Sequence, residues 1–110
     1  MVISIEKGDR KMKKLFISQP MRGKTDAMIK AERTRAIQRA EELIGEPVKV
    51  IDSFFENLPV NANPLCCLGK SLELLAYADI AYFASGWKDA RGCKIEHTCA
   101  IEYGIVCIEE

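Results

Sequence analysis

One stretch of the chain gathers the parts of an anion site: Gln19-Pro20-Met21-Arg22-Gly23-Lys24-Thr25. Gly23 permits close backbone approach, and Arg22 and Lys24 supply positive charge. Thr25 can cap a helix whose free N–H groups and dipole favour an anion. It is not a G-x-x-x-x-G-K-[ST] loop, because Ser18 stands where the first glycine would be. The competing reading is a solvated basic turn that only caps a helix. A second candidate is Glu96, one turn into a helix that follows a glycine-containing loop. A carboxylate at the mouth of a sheet can act as nucleophile or general base; the alternative is a surface helical glutamate. Trp87 is the one tryptophan. It either stacks on a base or sugar or plugs the end of the sheet. His97 lies close to Cys93 and Cys99, but a zinc site wants four ligands at characteristic spacings. The five cysteines form no C-x-x-C pair and read as reduced thiols, so no metal is expected. Cys93 falls at a helix N-terminus, where a thiol pKa can drop, yet no base is convincingly placed beside it.

These groups need elements to hold them. Lys14–Ser18 (KLFIS) is a short apolar run that stops at Gln19-Pro20 and reads as a buried strand. Thr25 caps a helix that runs to about Ile44, with Asp26 in its first turn. Its apolar stripe is Ile29, Ala36, Ile37, Ala40, Leu43 and Ile44, and Arg33, Arg35, Arg39 and Glu41 fall largely off it. Gly45 and Pro47 stop it. Val48–Ile51 is a second strand, followed by a long aperiodic connection, DSFFENLPVNANP. Asn63-Pro64 reads as an N-cap with proline at the first helical position. Leu65, Leu68, Leu72 and Leu75 form one helical face. Ile80–Ala84 is a third strand, 85–92 a loop, Cys93–Tyr103 a helix ended by Gly104, and Ile105–Ile108 the last strand. Ile95 and Cys99, beside Glu96, look inward by composition.

Short apolar strands alternating with helices predict an α/β fold with a parallel sheet covered on both faces. The expected architecture is a flavodoxin-like three-layer α/β/α domain with four parallel strands in the order 2-1-3-4. Ligands of such sheets bind at the carboxyl ends of the strands, where the order reverses. The segments after strands 1 and 3, QPMRGKT and SGWKDARG, are therefore the expected site.

Composition narrows the classes further. The 110 residues are 48% hydrophobic and 29% charged, as in an ordinary globular domain. Sixteen basic residues balance sixteen acidic ones, giving no bulk electrostatic case for nucleic acid or an anionic membrane. No apolar run approaches the ~18–20 residues that span a bilayer. The segment MVISIEKGDRKMKK contains acids and no apolar core, so it does not read as a signal peptide, and a cytoplasmic location is expected. Residues 1–13 read as an N-terminal extension to a domain at 14–110. Residues 7–12 can be encoded by a purine-rich string resembling a ribosome-binding site ahead of a Met12 codon. Met12 is accordingly expected to be the natural start, the alternative being a real N-terminal arm.

Three stretches, KLFISQPMRGKT, SLELLAYADIAYFASGW and RGCKIEHTCAIEYGI, together resemble the nucleoside 2-deoxyribosyltransferase-like superfamily, and in particular its members with a PMRG turn. The resemblance covers Lys14 to Glu110. It implies cleavage of an N-glycosidic bond, no cofactor, and homo-oligomers with sites near subunit contacts. Gly92 and Glu96 match the spacing of the family's loop glycine and nucleophilic glutamate, so Glu96 takes that role. Arg22-Gly23 match the turn with which the family's hydrolases hold a 5'-phosphate. The family's strand-1 tyrosine is here Phe16. Its helix aspartate is Ser71, and the polar residue six before the nucleophile is Ala90, with Asp89 adjacent.

The expected activity is therefore hydrolysis of, or transfer from, a nucleoside 5'-phosphate or related metabolite. Glu96 is the expected catalytic group. Ser18, Gln19, Pro20, Met21, Arg22, Gly23, Lys24 and Ser71 are the expected ligand-binding residues, with Gly86, Trp87, Asp89 and Gly92 of the 86–92 loop facing the base. A non-catalytic nucleotide-binding or sensor module is the alternative. Four leucines on one helix and a possible exposed sheet edge add to the expectation of a dimer or larger assembly.

Overall fold

The computed structural model describes residues 12–55 and 61–110. The expectations for residues 1–11 and for residues 56–60 of the long connection fall outside them. Strand β1 (Lys13–Ser18), helix α1 (Asp26–Ile44), strand β2 (Val48–Val50), helix α2 (Pro64–Leu75) and strand β3 (Ile80–Phe83) follow in order. A 3-10 turn (Trp87–Asp89), helix α3 (Arg91–Glu102) and strand β4 (Val106–Glu109) complete the chain. The strands form one parallel sheet in the order β2-β1-β3-β4, as expected.

The period of two along a strand divides the core into two layers. Leu15, Ile17, Ile80, Tyr82 and Ala84 pack with Ala36 and Ala40 of α1. Phe16, Ala81 and Phe83 point to the other face and pack with Leu75, Cys93 and Ala100, from α2 and α3. One helix therefore covers one face and two cover the other. The small residues Ala36 and Ala40 let α1 lie close to β1 and β3.

Local signals set the helix ends. Thr25 Oγ1 accepts from Met28 N at 3.2 Å, and Gly45, in the left-handed region at φ 77°, closes α1 by donating to Glu41 O at 2.8 Å. Asn63 Oδ1 accepts from Leu65 N and Cys66 N. α3 starts two residues earlier than expected and has no side-chain cap; Ala90 is its N-cap residue.

Three burial expectations change. Arg33 is buried, not off the stripe: it stands four residues after Ile29 and three before Ala36, on the face turned to the sheet. Leu43 is 58% exposed, because Ala40 and Ile44 already fill the contact that α1 makes there. Ile95 is 38% exposed, since α3 turns Cys93, Glu96 and Ala100 inward.

Ala40 has no exposed surface and sits between α1 and the sheet. Ala40→Leu should cost about 1–3 kcal/mol in urea denaturation through overpacking. Ala31→Leu, on the exposed side of α1, should stay within about 0.5 kcal/mol.

Candidate active site

β1 delivers Ser18 to its carboxyl end on the face covered by α2 and α3. α3 turns Glu96 onto the same face, one turn after Cys93. Ser18 Oγ donates to Glu96 Oε1 at 2.6 Å, joining residues 78 apart in sequence. Ser71 of α2 lines the same cleft and helps hold the Glu96 pKa down. Glu96 is only 7% exposed, so it is not a surface helical glutamate. Burial pushes its carboxyl above the usual glutamate range, and Ser18 and Ser71 pull it back part of the way.

Glu96 lies in the lining of an open cleft of about 600 Å³ at the carboxyl ends of β1 and β3. Of the expected ligand-binding residues, Ser18, Gln19, Pro20, Met21 and Arg22 line it from the β1–α1 side. Ser71 lines it from α2, and Gly86, Asp89 and Gly92 from the loop after β3. Arg22 is exposed and forms no ion pair among the described residues. Gly86 opens the 3-10 turn with φ 86°, in the left-handed region, and a Cβ there would stand 3.5 Å from Pro20 Cγ.

Three expected residues do not line the cleft. Gly23 makes the turn itself, at φ 77°. Lys24 is taken by Glu32, with Nζ 3.0 Å from Oε2. Trp87 is the plug rather than a stacking platform. It is 7% exposed, stacks on His97 at 4.2 Å between ring centroids, and packs against Phe83 at 5.5 Å. His97 Nε2 in turn meets Glu109 Oε2 of β4 at 2.5 Å, so His97 braces the plug. The indole thus meets the His97 imidazole face to face and the Phe83 ring at a tilt.

Gln19 and Ser18 have structural work inside the cleft wall. Gln19 Nε2 donates to Glu32 Oε1 at 2.8 Å, and its Oε1 accepts from Arg33 Nη1 at 3.2 Å. Arg33 Nη2 reaches Ile51 O and Ser53 Oγ, each at 3.4 Å. Its burial lowers the guanidinium pKa, and Asp52 opposes this. This network fixes the segment after β1 to the end of β2. Spacing alone marks Arg33 as a core position; its residue type hid it. Phe55 and Arg91 also line the cleft without having been expected there. The Cys93 thiol pKa is pushed up, first by burial and also by Glu96, while Ser18 acts in the opposite sense. All five cysteines are free, and among the described residues no group of His, Cys, Asp or Glu could hold a metal ion. No described helix is long and apolar enough to cross a membrane.

Comparison with family models, with curated proteins and with solved structures gave no match for this chain.

The raised Glu96 pKa carries a sign for stability. A carboxyl that binds its proton more tightly when folded contributes stability that is fully present below the unfolded pKa. That contribution is lost as pH rises through the folded value. Glu96→Gln removes the penalty while keeping an acceptor for Ser18. Its melting temperature should exceed that of the unsubstituted protein at pH 7, and the difference should close as pH falls to about 4, the ordinary glutamate value. A pH series of thermal melts checks this.

Proposed function

We propose that the protein cleaves the N-glycosidic bond of a nucleoside 5'-phosphate, or of a closely related metabolite, by hydrolysis or transfer. The observation that carries this reading is the Glu96 carboxylate, buried in the lining of the cleft and oriented by the Ser18 hydroxyl. The resemblance of the PMRG turn and of the Gly92–Glu96 spacing to the nucleoside 2-deoxyribosyltransferase-like superfamily supports it.

The reaction follows from what these groups can do. Glu96, ionised, attacks the anomeric carbon as the bond to the base breaks and positive charge builds on the sugar ring. The bonding pair leaves with the base nitrogen, which takes a proton from water. The glycosyl ester on Glu96 is then cleaved by water or by an acceptor base. Ser18 holds the carboxylate so that attack costs no side-chain reordering. Arg22, at the rim, holds the 5'-phosphate through charge-assisted hydrogen bonds. No metal or redox cofactor enters these steps. A cytoplasmic protein with reduced thiols, and a homo-oligomer, complete the reading. The exposed Leu65, Ile101, Tyr103 and Val106 support assembly, and a sedimentation mass above that of one chain tests it.

Free base released from deoxynucleoside 5'-monophosphates, measured by chromatography, is the direct test. Glu96→Gln should abolish release. Nucleotide binding without release from the unsubstituted protein would instead give the sensor reading. Because burial raises the Glu96 pKa, the acid limb of the rate profile should lie above the ordinary glutamate range, and Ser18→Ala should move it higher still. Arg22→Ala should weaken monophosphates at least tenfold, equivalent to about 1.4 kcal/mol, and leave nucleosides nearly unchanged.

A further inference from the structure

Two charged side chains are buried among the described residues, Glu96 in the cleft lining and Arg33 behind it. Arg33 is 8% exposed and forms no ion pair among the described residues. Neutral groups alone hold its fork: Gln19 Oε1 at 3.2 Å, and Ile51 O and Ser53 Oγ at 3.4 Å each. Asp52 offsets the charge in part, yet Asp52 is exposed and outside the cleft lining. Glu32, the next carboxylate along the network, is already paired with Lys24. A buried cation answered by dipoles rather than by a carboxylate is costly to keep. Gln19 and Ser53 both line the cleft, so the guanidinium stands one hydrogen bond behind its wall. Low-dielectric walls focus the field of such a charge into a cleft.

We infer that Arg33 is a binding residue that acts at a distance: its charge draws the ligand's phosphate to the wall that Gln19 and Ser53 form beyond the ends of β1 and β2. This rests on the reading of the cleft as a nucleotide site. The phosphate then lies between two unlike cations. Arg22 reaches it directly from the rim and is exposed, so dissolved salt screens that contact. Arg33 is withdrawn from water, and salt screens it far less. Gln19 cannot take over the task. Its amide nitrogen is committed to Glu32 Oε1 and Ile29 O, and its oxygen to Arg33. At Gln19 the wall therefore offers the ligand a positive potential rather than a donor.

The test is calorimetric titration of 2-deoxyribose 5-phosphate, which carries the phosphate and no base, into the full chain at about 50 mM and about 300 mM salt. Unphosphorylated 2-deoxyribose is the control and should not bind measurably. Arg33→Gln should weaken the sugar phosphate about tenfold at both salt concentrations. Tenfold is about 1.4 kcal/mol, which two unit charges exchange at roughly 12 Å under an effective dielectric constant of about 20. Arg22→Ala should weaken binding mainly at the lower salt. Arg33→Lys loses the planar fork but keeps the charge, and should bind within about threefold of the unsubstituted protein. Arg33→Met takes the place of Arg33→Gln if thermal melts show the latter unfolded. Equal losses in the lysine and neutral variants would mean that the network only positions the wall, and they overturn the inference. So do unchanged affinity in the neutral variant, a loss that fades with salt as that of Arg22→Ala does, and no binding of the sugar phosphate at all. Base release from nucleotides is a separate readout. Release without Arg33-dependent phosphate binding removes only this inference; Arg33-dependent binding without release removes only the N-glycosidase reaction.

Discussion

The hydrogen bond from Ser18 to Glu96 is the contact around which the cleft is organised. A carboxylate withdrawn from water must find donors close by, or it takes up a proton. Here the donor comes from the end of β1, so that strand must hold its place against α3 for the contact to survive. The central position of β1, paired with β2 on one side and β3 on the other, makes its end rigid. The same burial that penalises folding at neutral pH would, in the proposed reaction, keep the nucleophile out of water. On that reading function and stability pull in opposite directions at one side chain.

A second polar cluster supports the first from behind. Arg33 would be a costly buried cation if it stood alone. Gln19, Ser53 and the Ile51 carbonyl share its donors, and Gln19 passes the chain of hydrogen bonds on to Glu32 and Lys24. These contacts bind the β1–α1 turn to α1 and to the end of β2. Arg22 is thereby carried on a braced segment although its own side chain is exposed.

The fold was largely legible in the residues. The apolar runs at 14–18, 48–51, 80–84 and 105–108 each became a strand to within a residue or two, since capping residues and glycines bound the helices between them. Side-chain character was a weaker guide than spacing. Arg33 lies on the apolar face of α1 by position, and its charge concealed that. Trp87 illustrates the opposite limit: nothing local separates an indole that meets a ligand from one that meets Phe83 and His97, because both partners come from other elements. Glu96 could be singled out through the resemblance, yet its pairing with Ser18 depended on how β1 and α3 converge. Arg91 and Phe55 entered the cleft wall for the same reason.

The bracing of Trp87 also makes the molecule its own optical probe. There is one indole in the chain, and its Nε1 is buried without a hydrogen-bond partner among the described residues. Emission from such a ring lies toward the blue while water is kept out. The ring belongs to the 3-10 turn that carries Asp89, so any loosening of that wall wets the indole and shifts its emission red. Movements at the cleft are thereby readable in unlabelled protein, by light alone.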